Sequence, residues 1–134
     1  MQNKTILVVK DDQAICDLLQ TVLEDLLGAR VVKGPDSADT LQLVAAVRPA
    51  MVILDACLPG IDGISVLQQL KANPTTKDIP VLVLSADHNL RRRALAAGCA
   101  CFIDMPFDLE VLLSAVQDHL GCSGERSLRW GHFG

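Results

Sequence analysis

Five times along its length the chain alternates a short apolar run with a stretch whose apolar residues recur at helical spacing, and this alternation constrains the fold more than any other feature. Apolar runs of about 4–8 residues suit strands, whereas spacings of three and four put side chains on one helix face. The first run, Ile6–Val9, ends in Lys10-Asp11-Asp12. Ile15, Leu18, Leu19, Val22, Leu23 and Leu26 then follow at helical spacing, and Gly28 is a natural stop. Arg30–Lys33 reads as a second strand closed by Gly34-Pro35; Asp36 or Ser37 then caps a helix that turns Leu41, Val44, Ala45 and Val47 inward. Met51–Leu54 is the third strand and delivers Asp55 at its end. After Leu58-Pro59-Gly60 a helix starts near Asp62, buries Ile64, Val66, Leu67 and Leu70, and ends at Asn73-Pro74. Ile79–Leu84 is a continuous apolar run, as in a central parallel strand covered on both faces. Leu90–Ala97 is a short helix ended by Gly98, Ala100–Ile103 a fifth strand, and Leu109–Leu120 a last helix capped by Asp108 and stopped by Gly121.

Five such units with short connections imply a parallel sheet with helices on both faces, and right-handed crossovers make it doubly wound. The expected fold is α/β, a doubly wound five-stranded parallel sheet in strand order 2-1-3-4-5, with ligands at the carboxyl ends of the strands. Residues 1–121 form this domain. Residues 122–134 (CSGERSLRWGHFG) lack periodicity and read as a frayed end, a docking segment or the start of a linker.

Composition closes other routes. With half of the residues apolar and 21% charged, the chain has the makings of a packed core rather than of disorder. A net charge of −4 with one Trp, three Phe and no Tyr offers neither the basic face nor the stacking surface that nucleic acid requires. The run Thr5–Val9 is too short for a signal peptide, and no stretch approaches the roughly 18 apolar residues of a membrane span. Cys16, Cys57, Cys99, Cys101 and Cys122, an odd number, read as reduced thiols of a cytoplasmic chain. Cys99 and Cys101 could be half a metal site, but no second Cys/His pair is suitably placed, and small buried strand residues are the plainer reading.

The chemistry belongs where polar residues end the strands. Strand one ends in Lys10, Asp11 and Asp12, strand three in Asp55, strand four in Ser85, and strand five in Asp104, Met105 and Pro106. Strands one, three and four lie side by side in such a sheet, so Asp11, Asp55 and Ser85 converge on one crevice. Two close carboxylates repel unless a cation sits between them or one is protonated. A hard, oxygen-ligated Mg2+ suits the pair. A carboxylate beside such an ion can attack phosphorus, and the Ser85 hydroxyl can donate to the transferred oxygens. Any one of these aspartates is more simply a helix cap; three strand ends in register, each after an apolar run, favour the chemical reading.

Several blocks together resemble the response-regulator receivers of two-component signalling. They are Ile6-Leu7-Val8-Val9 before acidic residues, Val52-Ile53-Leu54-Asp55 before Leu58-Pro59-Gly60-x-Asp62-Gly63, Pro80-Val81-Leu82-Val83-Leu84-Ser85-Ala86, and Ala97-Gly98 leading to Pro106-Phe107-Asp108. The resemblance covers residues 4–121 and implies a flavodoxin-like (βα)5 receiver fold. It further implies that Asp55 takes a phosphoryl group from a histidine kinase or phosphotransfer protein. Asp11, Asp55 and the backbone carbonyl of Cys57 would hold Mg2+, and Ser85 would be the switch hydroxyl. Phe102 matches the aromatic whose rotamer reports that switch, although a plain core role serves it equally well. Output would run to a downstream protein, or to a second copy in a homodimer, through the face of helix 4, strand 5 and helix 5. Arg91-Arg92-Arg93 falls on that face, where a solvated charged surface is the default and partner docking the alternative. No membrane or direct nucleic-acid partner and no enzyme activity beyond the receiver's own phosphoryl chemistry are expected.

Two positions depart from the family pattern. Lys10 stands where the first of two acidic residues is usual, and Met105 where a lysine precedes the Pro-Phe pair. A unit charge about 6 Å from a divalent ion costs roughly 1–3 kcal/mol at effective dielectrics of about 40–80, enough for an approximately tenfold to hundredfold loss of Mg2+ affinity. Met105 can pack but cannot bind an oxyanion. Lys10 could stand in for the missing lysine, or simply pair with Asp11 or Asp55. Asp12 reads as a cap of the first helix, and Asp87 and Cys57, each two residues beyond a site residue, overhang the crevice. These departures leave a second reading open, a pseudo-receiver that works by protein binding without phosphorylation. A small phosphatase or nucleotide-binding enzyme would instead want a Gly-rich loop after strand one or a carboxylate two residues beyond Asp55, where Cys57 stands.

Overall fold

A computed structural model describes residues 4–9, 13–34, 40–58 and 61–120; for residues 13, 57, 58, 61 and 62 it describes the backbone only. Five strands alternate with five helices: β1 Thr5–Val9, α1 Gln13–Leu27, β2 Arg30–Gly34, α2 Thr40–Val47, β3 Met51–Asp55, α3 Gly63–Ala72, β4 Val81–Ser85, α4 Arg91–Ala96, β5 Cys101–Asp104 and α5 Leu109–His119. The strands form one parallel sheet in the order β2-β1-β3-β4-β5, the predicted doubly wound flavodoxin-like arrangement. A short antiparallel ribbon, Cys57–Leu58 against Ile61–Asp62, carries the chain from β3 to α3.

Sequence alternation explains the layering. Side chains along a strand point to opposite faces in turn, so an uninterrupted apolar strand serves two cores. On one face Ile6, Val8, Ile53, Leu82 and Leu84 pack with Leu19 and Leu23 of α1 and Leu112 and Val116 of α5. On the other, Leu7, Leu54, Val83 and Phe102 pack with Val44 of α2, Leu67 of α3 and Ala94 of α4.

Several expected positions shift. Leu18 and Leu26 are 44% and 62% exposed, because the buried stripe of α1 runs along Cys16, Leu19, Leu23 and Leu27 and leaves them on its flank. Ala45 is exposed too, since α2 buries Thr40 and Val44, one turn apart. The fourth strand starts at Val81 rather than Ile79: Pro80 has no N–H for the ladder, although its carbonyl accepts from the Val52 N–H at 3.0 Å. The fourth helix starts at Arg91, after a 3-10 turn over His88–Leu90, and the fifth strand runs one residue later than expected. Asp108 caps α5 as predicted, accepting from the N–H groups of Glu110 and Val111 at 2.9 and 3.4 Å. The expected cap at Asp36 or Ser37, the Pro59-Gly60 turn, the Gly121 stop and the 122–134 tail lie outside the described residues. Among the described residues no helix is long and apolar enough to cross a membrane.

One glycine fixes how the chain leaves the site strand. A Cβ on Gly63 would sit 2.5 Å from the Cα of Ala56 and 2.6 Å from the carbonyl oxygen of Asp55, so α3 can start against the end of β3 only with glycine there. Gly63→Ala is therefore expected to lower unfolding free energy in urea by about 1–3 kcal/mol, the range for overpacking. Leu23→Ala should cost about 2–5 kcal/mol, whereas Leu26→Ala should stay within about 0.5 kcal/mol of the parent.

Candidate functional site

The ladder sets which strand ends meet. Val9, the last residue of β1, is in register with Leu54, and Leu54 with Val83; Asp55 then pairs with Leu84 and Ser85 with Asp104. Asp55, Ser85 and Asp104 thus end neighbouring strands at one edge of the sheet. Asp55 and Ser85 are buried, with 6% and 2% of their surface exposed. The exit from β3 is pinned: the Ala56 N–H donates to the Leu84 carbonyl at 3.0 Å, and the Gly63 N–H to the Ala56 carbonyl at 3.1 Å. Lys10, Asp11 and Asp12 lie outside the described residues, so of the three predicted strand-end groups the structure describes Asp55 and Ser85. Of Cys57 it describes the backbone, in the ribbon directly beyond Asp55. Among the described residues no three His, Cys, Asp or Glu side chains gather as a metal site.

Ser85 is held at both of its oxygens. Its Oγ accepts from the Asp87 N–H at 3.0 Å, and its carbonyl accepts from the Met105 N–H at 2.9 Å. A hydroxyl that accepts through a lone pair retains its own proton to donate. The Asp87 carboxylate caps the His88–Leu90 turn, accepting from the Asn89 N–H at 2.9 Å. Met105 is partly buried against the α1–α5 core, as a thioether should be. Phe102 is 4% exposed and packs in the opposite core.

A charged cluster that the sequence did not reveal as a unit flanks these residues. The Asp104 carboxylate bonds His88 Nδ1 at 2.8 Å and Arg91 Nη2 at 3.0 Å. The Arg91 guanidinium in turn lies over the Phe102 ring, its Cζ 5.1 Å from the centroid. Arg91 is thus more than a solvated charge on helix 4. The signal in sequence was faint: His88 and Arg91 are three residues apart, but their shared acid lies thirteen residues beyond Arg91. The His88 hydrogen bond holds the Asp104 carboxyl below the usual carboxylate range against some desolvation, and Arg91 adds to the effect.

Cys99 and Cys101 belong to different cores, Cys99 facing the α2–α4 side and Cys101 the α1–α5 side. Cys16, Cys99 and Cys101 carry reduced thiols, joined in no disulfide among the described residues. Burial, above all, pushes the Cys99 and Cys101 thiols up, which keeps them protonated at neutral pH and fits packed residues better than metal ligands.

Because the folded-state pKa of Asp104 is depressed, its contacts are fully made above the unfolded value of about 3.9 and are lost as pH falls through the folded value. Carboxyl-carbon NMR should find the Asp104 midpoint below about 3.9, and His88→Ala should move it upward.

The chain matches the response regulator receiver domain model over residues 6–117. It is 38% identical over 114 residues to the response regulator MprA of Mycolicibacterium vanbaalenii, covering 84% of this chain and 48% of that protein. It is 34% identical over 114 residues to the DNA-binding dual master transcriptional regulator RpaA of Synechocystis sp., covering 84% of this chain and 47% of that protein. The chain therefore spans about half the length of these curated relatives. Among solved structures, a putative response regulator from Chloroflexus aurantiacus superposes with a TM-score of 0.83 at 28% identity, over 90% of this chain and 100% of the other. With the parallel sheet and the strand-end residues in place, these likenesses assign the chain to the receiver domains of two-component response regulators.

Proposed function

We propose that this receiver accepts a phosphoryl group at Asp55 from the phosphohistidine of a kinase or phosphotransfer protein. The observation that carries the reading is a buried carboxylate ending a central strand beside a buried serine on the neighbouring strand. A carboxylate oxygen of Asp55 attacks phosphorus, the O–P bond forms as the N–P bond breaks, and the departing imidazole keeps the electron pair and takes a proton. The Ser85 hydroxyl, whose oxygen accepts from the Asp87 N–H, can donate its proton to a phosphoryl oxygen.

Asp11, Asp55 and the carbonyl of Cys57 are an all-oxygen donor set, which fits Mg2+. When bound, the ion would neutralise the carboxylates and the phosphoryl oxygens. Lys10, an ammonium where the family carries an acid, weakens that site and is the candidate substitute cation. Signalling then uses the surface of α4, β5 and α5. There Leu95, Leu109 and Val111 are exposed, and a groove lined by Cys101, Val111, Ser114 and Asp118 runs along α5. An exposed apolar surface of this kind suits a downstream protein or a second copy.

Intact-protein mass after incubation with acetyl phosphate tests the reading, on wild type and Asp55→Asn, with and without Mg2+. One added phosphoryl group on wild type, and none on the variant, is the expected result. Dependence on Mg2+ marks a working metal site, and an adduct indifferent to Mg2+ marks Lys10 as the substitute cation. No adduct on folded wild type would overturn the proposal in favour of a receiver that acts by binding alone.

A further inference from the structure

We infer that Asp104 is a positioning residue that latches the aromatic Phe102 in its buried place and ties it to the loop that holds Ser85. Successive side chains on a strand alternate in face, so Asp104 follows Phe102 on one face of β5 and Ser85 follows Val83 on the same face of β4. The register pairs Val83 with Phe102 and Ser85 with Asp104. The latch therefore sits one step beyond the aromatic, level with the serine.

The contacts close a ring. The Ser85 Oγ accepts from the Asp87 N–H, and Asp87 caps the turn that carries His88. His88 and Arg91 both bond the Asp104 carboxylate, at 2.8 and 3.0 Å. The Arg91 guanidinium then lies over the buried Phe102 ring, its Cζ 5.1 Å from the centroid, while its own side chain stays half-exposed. Movement of Phe102 out of the core would break its contact with a guanidinium that Asp104 holds in place. A shift of the Ser85 loop moves the other partner of the same carboxylate. The partners are exposed or half-exposed while Phe102 is buried, so the hold on an apolar side chain is electrostatic and sensitive to salt.

The inference bears on the proposed function, because a change at Asp55 relayed through Ser85 would meet this ring, but its test uses no phosphoryl donor. Phenylalanine is replaced biosynthetically by a fluorinated analogue, and the resonance of position 102 is identified by its loss in Phe102→Leu. Its relaxation by a neutral soluble paramagnetic probe then reports exposure. Wild type should be protected, and Asp104→Asn and Arg91→Gln should each raise the relaxation several-fold with backbone spectra otherwise unchanged. Wild type should move the same way in about 1 M salt, where the screening length is about 3 Å. Protection in both variants equal to wild type would overturn the latch and leave packing alone to hold Phe102. A rise in Arg91→Gln alone would also overturn it, since Arg91 would then need no fixing by Asp104. Either result stands whether or not Asp55 accepts phosphate.

Discussion

Everything at the site depends on the parallel hydrogen-bond ladder that brings β1, β3, β4 and β5 to an end along one edge of the sheet. Val9 beside Leu54, Leu54 beside Val83, and Ser85 beside Asp104 are statements about backbone register. Yet they decide which side chains, far apart in sequence, can act together. Register in turn is set by burial. β1, β3 and β4 are apolar on both faces, and a slip of one residue would exchange the two cores. Gly63 then turns the chain so tightly after β3 that α3 starts against the backbone of Asp55 and Ala56.

Electrostatics supplies the second level of organisation. The sequence places a cation, Lys10, where the family carries an acid, and a thioether, Met105, where it carries a cation. The described part of this exchange is physically coherent, because Met105 packs against the α1–α5 core instead of reaching for an anion. Charge reappears one residue earlier and with opposite sign, at Asp104, which faces α4 and gathers His88 and Arg91. The carboxyl end of β5 thus directs its polarity towards α4 and the turn before it.

Most of the fold was legible because short unbroken apolar runs and the 3.6-residue helical period are local patterns, and the unbroken runs of β3 and β4 suit central strands covered on both faces. Asp55 and Ser85 could be named from sequence since each closes such a run. What sequence missed follows from geometry that spacing does not encode. Leu18 and Leu26 fit the helical period yet flank the buried stripe, because α1 crosses the sheet along the line of Cys16, Leu19, Leu23 and Leu27. Pro80 delayed β4 by removing a ladder donor while its neighbours stayed apolar. The Asp104 cluster joins a strand end to a turn sixteen residues away and a helix start thirteen residues away, and exposed acidic and basic residues at those separations carry no pattern.

The central claim, that Asp55 is the residue that carries the phosphoryl group, is tested most directly by borohydride reduction of the phosphodonor-treated protein followed by peptide mapping. An acyl phosphate on a side-chain carboxyl is reduced to the alcohol, whereas a free carboxylate or a phosphoserine is untouched. The account predicts conversion of Asp55 to homoserine, with Asp87, Asp104 and Ser85 unchanged. Reduction at another aspartate, or phosphate recovered on Ser85 with Asp55 intact, would contradict it.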